Sequence, residues 1–269
     1  MRFLHLLAWA LLALAIVCSP ARAQGEAEEN AFKDWAAAFV AADWRDGNGR
    51  TIEAFDNASR DLAKAFTAAG LKSANIADLS LRPNIILGTA TTSRKMFEAI
   101  EAKTKAAQSG CLLYFTSHGS PEGIVLGNEG LLSPERMNTL VDQWCGQRPT
   151  VVVISACYSG AFLPALQAAN RMVMTAARPD RTSFGCSAEE RYPYFDACVL
   201  ESLPEADDFV HLASLTRGCV AVREQQENLW PRSEPLTWVG AEVEDMLIFT
   251  NFKRPALVDE DLITLPSKP

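Results

Sequence analysis

Two periods of apolar residues alternate along the chain. Ala36–Ala42 (AAAFVAA), Cys111–Thr116 (CLLYFT), Val151–Ile154 (VVVI) and Met172–Thr175 are short, continuous apolar runs. Runs of this kind, rich in β-branched and aromatic residues, predict strands covered on both faces. Between them the apolar positions recur every three to four residues. Ile52, Phe55, Leu62, Ala65, Phe66 and Ala69 share one helical face that closes at Gly70. Thr91-Thr92-Ser93 caps a second helix carrying Met96, Ala99 and Ile100, with Ala107 further along; Lys103 interrupts the stripe, so this helix is expected to be half buried. Ser133-Pro134 opens a third, with serine as cap and proline in the first turn, running to about Trp144.

Smaller features complete the pattern. Ala74–Leu79 reads as a short strand, and Ile124–Leu126 with Leu131-Leu132 reads as a hairpin around Gly127–Gly130. A short helix follows residue 160. Residues 178–193 form a long polar loop, a type often kept for function. Helical segments are expected at 194–204 and 208–227, and a last strand at Pro235–Val243. Strands alternating with helices predict an α/β sandwich of three layers around a mostly parallel central sheet.

The two ends of the chain read differently. Arg2, the apolar run Leu4–Val17 and the small-residue site Ala21-Arg22-Ala23 predict a signal peptide over residues 1–23. The run is too short for a spanning helix, and Val17 does not suit a lipoprotein site at Cys18. The expected organisation is therefore a signal peptide (1–23), one domain (24–251) and a C-terminal tail (252–269), exported to the periplasm or beyond. No later stretch is apolar enough to span a membrane. Residues 24–269 carry 23 basic against 33 acidic residues, a net charge of −10, which disfavours nucleic acid and anionic membranes as partners.

Two of the predicted strands end in reactive residues. One runs into Ser117-His118-Gly119-Ser120, the next into Ser155-Ala156-Cys157-Tyr158-Ser159-Gly160. Parallel sheets bind ligands beyond the carboxyl ends of their strands, and a single helix separates these two, which makes them neighbours. A thiol at a strand-to-helix turn, an imidazole that titrates near neutrality and a glycine that admits close backbone approach are the parts that acyl transfer requires. His118 and Cys157 are the expected catalytic pair, with the Gly119 and Cys157 amides as oxyanion donors. Each residue alone also has a plain structural reading, since cysteine is among the most buried residue types; the joint placement carries the assignment.

Ser117-His118-Gly119-Ser120-Pro121 together with Ile154–Gly160 resembles the paired signature of the legumain family of cysteine peptidases, grouped with caspases and gingipains. The resemblance implies a caspase-like sandwich, hydrolysis of peptide or protein substrates through a thioester, and no metal or cofactor. Arg181–Cys186 resembles the family's specificity-pocket segment, with Ser183 in the pocket; Asp196 resembles an acidic pocket residue and reads equally as a helix cap. Arg50, within Asn48-Gly49-Arg50, and Ser155 complete the expected substrate contacts, and Asp56-Asn57 rivals Arg50. Legumain has glutamate directly after the cysteine where this chain has Tyr158, so a preference for asparagine is not implied. The same pair would also serve a transpeptidase, and a caspase fold can host a binding protein without turnover.

The remaining cysteines and histidine complete the picture. Cys111 with Cys145, and Cys198 with Cys219, are the expected disulfides of an exported protein, and one thiol besides Cys157 is left over. No pair has the CxxC spacing of a thiol redox protein. His211 falls in a helical stretch far from a strand end and reads as structural.

Overall fold

The computed structural model describes residues 31–83 and 91–253. The expected signal peptide and most of the expected tail lie outside these residues. The order is β1 (Trp35–Ala41), α1 (Ala54–Ala68), β2 (Ile76–Ser80), α2 (Ser93–Ala106), β3 (Gly110–Thr116), β4 (Gly119–Ser120), β5 (Gly123–Val125), β6 (Leu131–Leu132), α3 (Pro134–Cys145), β7 (Thr150–Ser155), α4 (Leu163–Leu166), β8 (Arg171–Thr175), α5 (Tyr194–Ser202), α6 (Phe209–Gln226), β9 (Leu236–Val239) and α7 (Glu244–Phe249).

Six strands form the central sheet in the order β2-β1-β3-β7-β8-β9, parallel except for the antiparallel edge β9. Every residue of β1, β3, β7 and β8 is buried, as their unbroken apolar sequences require. Alternate residues serve opposite layers. Phe39, Leu112, Tyr114, Val151, Val153 and Met174 face α1, α5 and α6; Val40, Leu113, Phe115, Val152, Ile154 and Val173 face α2 and α3. The first layer includes an aromatic cluster in which Phe209 contacts Phe32, Trp35, Phe66 and Phe252 at centroid distances of 4.9–6.0 Å. Phe252, placed by the sequence at the start of the tail, is buried in this core.

Local sequence explains the helix starts. The Thr92 and Ser133 side chains accept from the amides of Lys95 and Arg136, capping α2 and α3, and Asp208 caps α6 through Val210 and His211. The expected hairpin gains a third strand, β4, pairing with β5. The last strand is shorter than its apolar run. Gly240 ends it because the backbone there lies against the Ala168 and Ala169 carbonyls, 2.2 and 2.4 Å from where a Cβ would sit, and the chain turns into α7.

Cys111–Cys145 and Cys198–Cys219 are disulfides. The first ties the start of β3 to the end of α3, at the end of the strands opposite the reactive residues; the second ties α5 to α6. Among the described cysteines, Cys157 and Cys186 are free. The bridges close loops of 34 and 21 residues, for which chain entropy gives each about 3–4 kcal/mol, the longer loop slightly more. Non-reducing peptide mapping will recover both pairs. In urea unfolding, Cys111→Ser/Cys145→Ser will lose at least as much stability as Cys198→Ser/Cys219→Ser.

Candidate active site

The parallel pairing of β3 with β7 aligns Thr116 with Ser155. His118 and Cys157 each lie two residues beyond that pair, at the same rim of the sheet. The chains stay close after the ladder ends: a Cβ at Gly119 would fall 2.2 Å from the Cys157 carbonyl oxygen and 3.0 Å from the Ala156 Cβ. Only glycine permits that approach.

His118 is fixed from three sides. Its Nε2 lies 2.7 Å from the Arg45 carbonyl. A carbonyl only accepts, so Nε2 carries the proton and the neutral ring keeps its lone pair at Nδ1. Phe55, in the first turn of α1, meets the ring edge to face at 5.1 Å. The His118 carbonyl accepts from the Val125 amide at 2.9 Å, which joins the small sheet to the site. The Arg45 backbone is itself held in place. Its guanidinium bonds to Asp43 (2.8 Å), the Gly127 carbonyl (2.7 Å) and Asn128 (3.0 Å) and stacks over Trp44 at 4.6 Å.

Cys157 faces the 178–193 loop. The Ser183 amide donates to its Sγ at 3.3 Å, and the Ser183 carbonyl and hydroxyl each lie 3.6 Å from it. The next residue, Tyr158, adopts the left-handed conformation (φ 58°), unusual for a bulky side chain, and its amide donates to the Arg181 carbonyl at 2.8 Å. Gly160 packs its backbone against Pro179 and Ala177. The loop is thereby held on one side of Cys157, and Tyr192 and Arg191 tie its far end to Asp61 on α1.

The two free thiols have opposite environments. Cys186 packs against Ala41, Ile52, Ala54 and Phe55. Burial, reinforced by the nearby Cys157, Asp196 and Asp43, pushes its pKa well above the ordinary thiol value. Cys186 is therefore kept protonated, whereas Cys157 has a hydrogen-bond donor on its sulfur.

Of the substrate contacts expected from sequence, Ser183 lies against the sulfur. Arg50 stands at the tip of a turn with its side chain 66% exposed, paired to Asp46 at 2.7 Å. Asp56 is committed to Ser80 and Arg82, and Asn57 to Arg60 and the Arg191 carbonyl. Ser155 and Asp196 are buried beneath the rim. Asp196 is not the helix cap: Pro193 holds that position, and Asp196 lies in the first turn of α5, bonded to Tyr114 and Thr116. His211 pairs with Asp207 in α6. Sequence reading missed Arg45, because its contribution is a backbone carbonyl, and Phe55, which it placed only as part of a helix face. The only described trio of possible metal ligands is Cys198, Glu201 and Cys219, and both of its cysteines are in a disulfide.

Gly119→Ala will force β3 and β7 apart at their ends and lower the unfolding free energy by about 1–3 kcal/mol. A urea midpoint equal to wild type would contradict the close approach.

Comparison with known proteins gives the site its context. No curated protein sequence matches the chain. The crystal structure of caspase-1 from Spodoptera frugiperda is similar with a TM-score of 0.55, covering 77% of this chain and 87% of that one at 14% identity. At that identity the likeness establishes the fold, a caspase-like α/β sandwich. The model of the Peptidase C13 family matches residues 83–227, more than half of the chain and a span that holds both reactive strand ends. The chain therefore belongs to the Peptidase C13 family, the legumain family of cysteine endopeptidases.

Proposed function

We propose that the protein hydrolyses peptide bonds with Cys157 as nucleophile and His118 as proton carrier. The observation that carries this reading is the shared register of β3 and β7, which places both residues two positions beyond one aligned pair. Nδ1 of His118 takes the thiol proton, because Nε2 is committed to the Arg45 carbonyl. The sulfur attacks the scissile carbonyl carbon, and the amides of Gly119 and Cys157 hold the developing oxyanion. The carbon–nitrogen bond then breaks, and the imidazolium proton passes to the leaving amine. Water, deprotonated by His118, cleaves the thioester and restores the thiol. Ser183 lines the pocket that receives the residue before the cut.

The two disulfides support a further part of this reading, that the chain carries an export signal at 1–23 and works in an oxidising compartment.

Incubating the purified protein with a diverse peptide mixture, read by mass spectrometry, will give cuts that Cys157→Ala abolishes without loss of folding. His118→Ala will lower kcat by about 10²–10⁴-fold, the range for a general acid–base. Cleavage by folded Cys157→Ala at the wild-type rate would sink the assignment.

A further inference from the structure

Asp196 is fully buried, at 0% exposure, yet the hydrolytic steps do not use it. The Tyr114 hydroxyl donates to Oδ1 at 2.5 Å and the Thr116 hydroxyl to Oδ2 at 2.6 Å. Tyr114 and Thr116 are on β3, which leads to His118; Ser155 is on β7, which leads to Cys157. Thr116 and Ser155 are the aligned pair itself, each two residues before a reactive side chain. A single carboxylate on α5 thus holds β3 at the last rung before the site, where β3 pairs with β7. Helix α5 is in turn bridged to α6 by Cys198–Cys219.

We propose that Asp196 is a positioning residue, a buried carboxylate that fixes the end of β3 beside β7 so that His118 meets Cys157 in working geometry. The proposal rests on the dyad reading above and gives Asp196 a role distinct from substrate contact. Both carboxylate oxygens are occupied by the protein, and the side chain has no exposed surface to offer a peptide.

The electrostatics agree with a group retained for function. The groups that face the carboxylate are the Tyr114 and Thr116 hydroxyls from β3, Ser155 from β7 and the Cys186 thiol from the loop. None of these is a cation. Burial raises the Asp196 pKa from 3.8 to about 6, against the opposing hydrogen bonds from Thr116 and Tyr114. A raised carboxyl pKa means that the folded state resists ionisation. The resulting loss of stability is absent below 3.8, grows between 3.8 and about 6, and is complete above that. At neutral pH the ionised carboxylate therefore weakens the fold, which a neutral side chain of the same shape would not do.

The test compares wild type with Asp196→Asn, Thr116→Val and Thr116→Ser. It uses kcat and KM on a peptide cleaved by wild type, the rate of Cys157 alkylation by iodoacetamide without substrate, and thermal unfolding at pH 7.5 and pH 4. The expected result is a kcat lowered roughly 10- to 100-fold, as for a small misplacement of reacting groups, in Asp196→Asn and Thr116→Val. KM stays near wild type, alkylation of Cys157 slows in parallel, and Thr116→Ser, which keeps the hydroxyl, restores both rates. Asp196→Asn will gain stability relative to wild type at pH 7.5 compared with pH 4.

A changed KM or preferred residue with wild-type alkylation would make Asp196 a substrate contact and overturn the proposal. Lowered melting temperatures with unchanged kcat in the folded protein would reduce it to a structural role and overturn it equally. Failure of the dyad reading is seen separately, as cleavage that survives Cys157→Ala or alkylation of Cys157 that is indifferent to His118→Ala.

Discussion

The pairing of β3 with β7 is the constraint on which the rest of the structure depends. Both strands are buried on both faces, so each residue has a fixed layer to serve. Sliding one strand by a single residue would exchange its faces and carry His118 or Cys157 about 3.3 Å along the sheet. The core therefore sets the register, and the register sets how His118 and Cys157 stand to each other at the rim. Leu113, Phe115, Val152 and Ile154 on one side, with Leu112, Tyr114, Val151 and Val153 on the other, hold that register against slippage.

Around this pair the structure adds supports that act mostly through the backbone. The Arg45 carbonyl selects the tautomer of His118, and it is held by a guanidinium network reaching Asp43, Gly127 and Asn128. The small sheet β4–β6 thus serves the site twice, through the Val125 amide and through the turn that anchors Arg45. The Ser183 amide does for the sulfur what Arg45 does for the ring. Helix α1 contributes Phe55 behind the imidazole and Asp61 under the far end of the long loop. His118 and Cys157 are consequently presented by rigid elements, while the long loop beside them is pinned at its two ends. That division is usual where a scaffold must be stiff and a binding surface adaptable.

Identical residue types have different fates here because their surroundings differ. Cys157 stands at a strand end with a donor on its sulfur, and Cys186 is packed among apolar side chains and kept protonated. Cys111, Cys145, Cys198 and Cys219 are consumed in bridges away from the reactive rim. Asp196 differs in the same way from exposed carboxylates such as Asp180, which pairs with Arg178 and Arg181 at the surface.

What the sequence determined by itself was everything written in local patterns. Unbroken apolar runs specified buried parallel strands, three-to-four spacing specified the helices, and Ser133-Pro134 marked a helix start; His-Gly and Ala-Cys after two such runs marked the reactive rim. Even the disulfide partners followed, since they lie on elements that the topology makes adjacent. Where a local signal was ambiguous, the reading slipped: the predicted strand Pro235–Val243 contained Gly240, whose close backbone contact ends the strand, and Phe252 looked like tail although the aromatic core claims it. Only the tertiary structure decided which carbonyl holds His118, which free thiol packs among apolar side chains, and that Asp196 lies beneath the site with its oxygens already bonded. The physical reason is common to all three. A backbone carbonyl has no signature in side-chain identity, and burial or hydrogen bonding between residues some 80 positions apart follows from packing of the whole chain, not from any stretch of it.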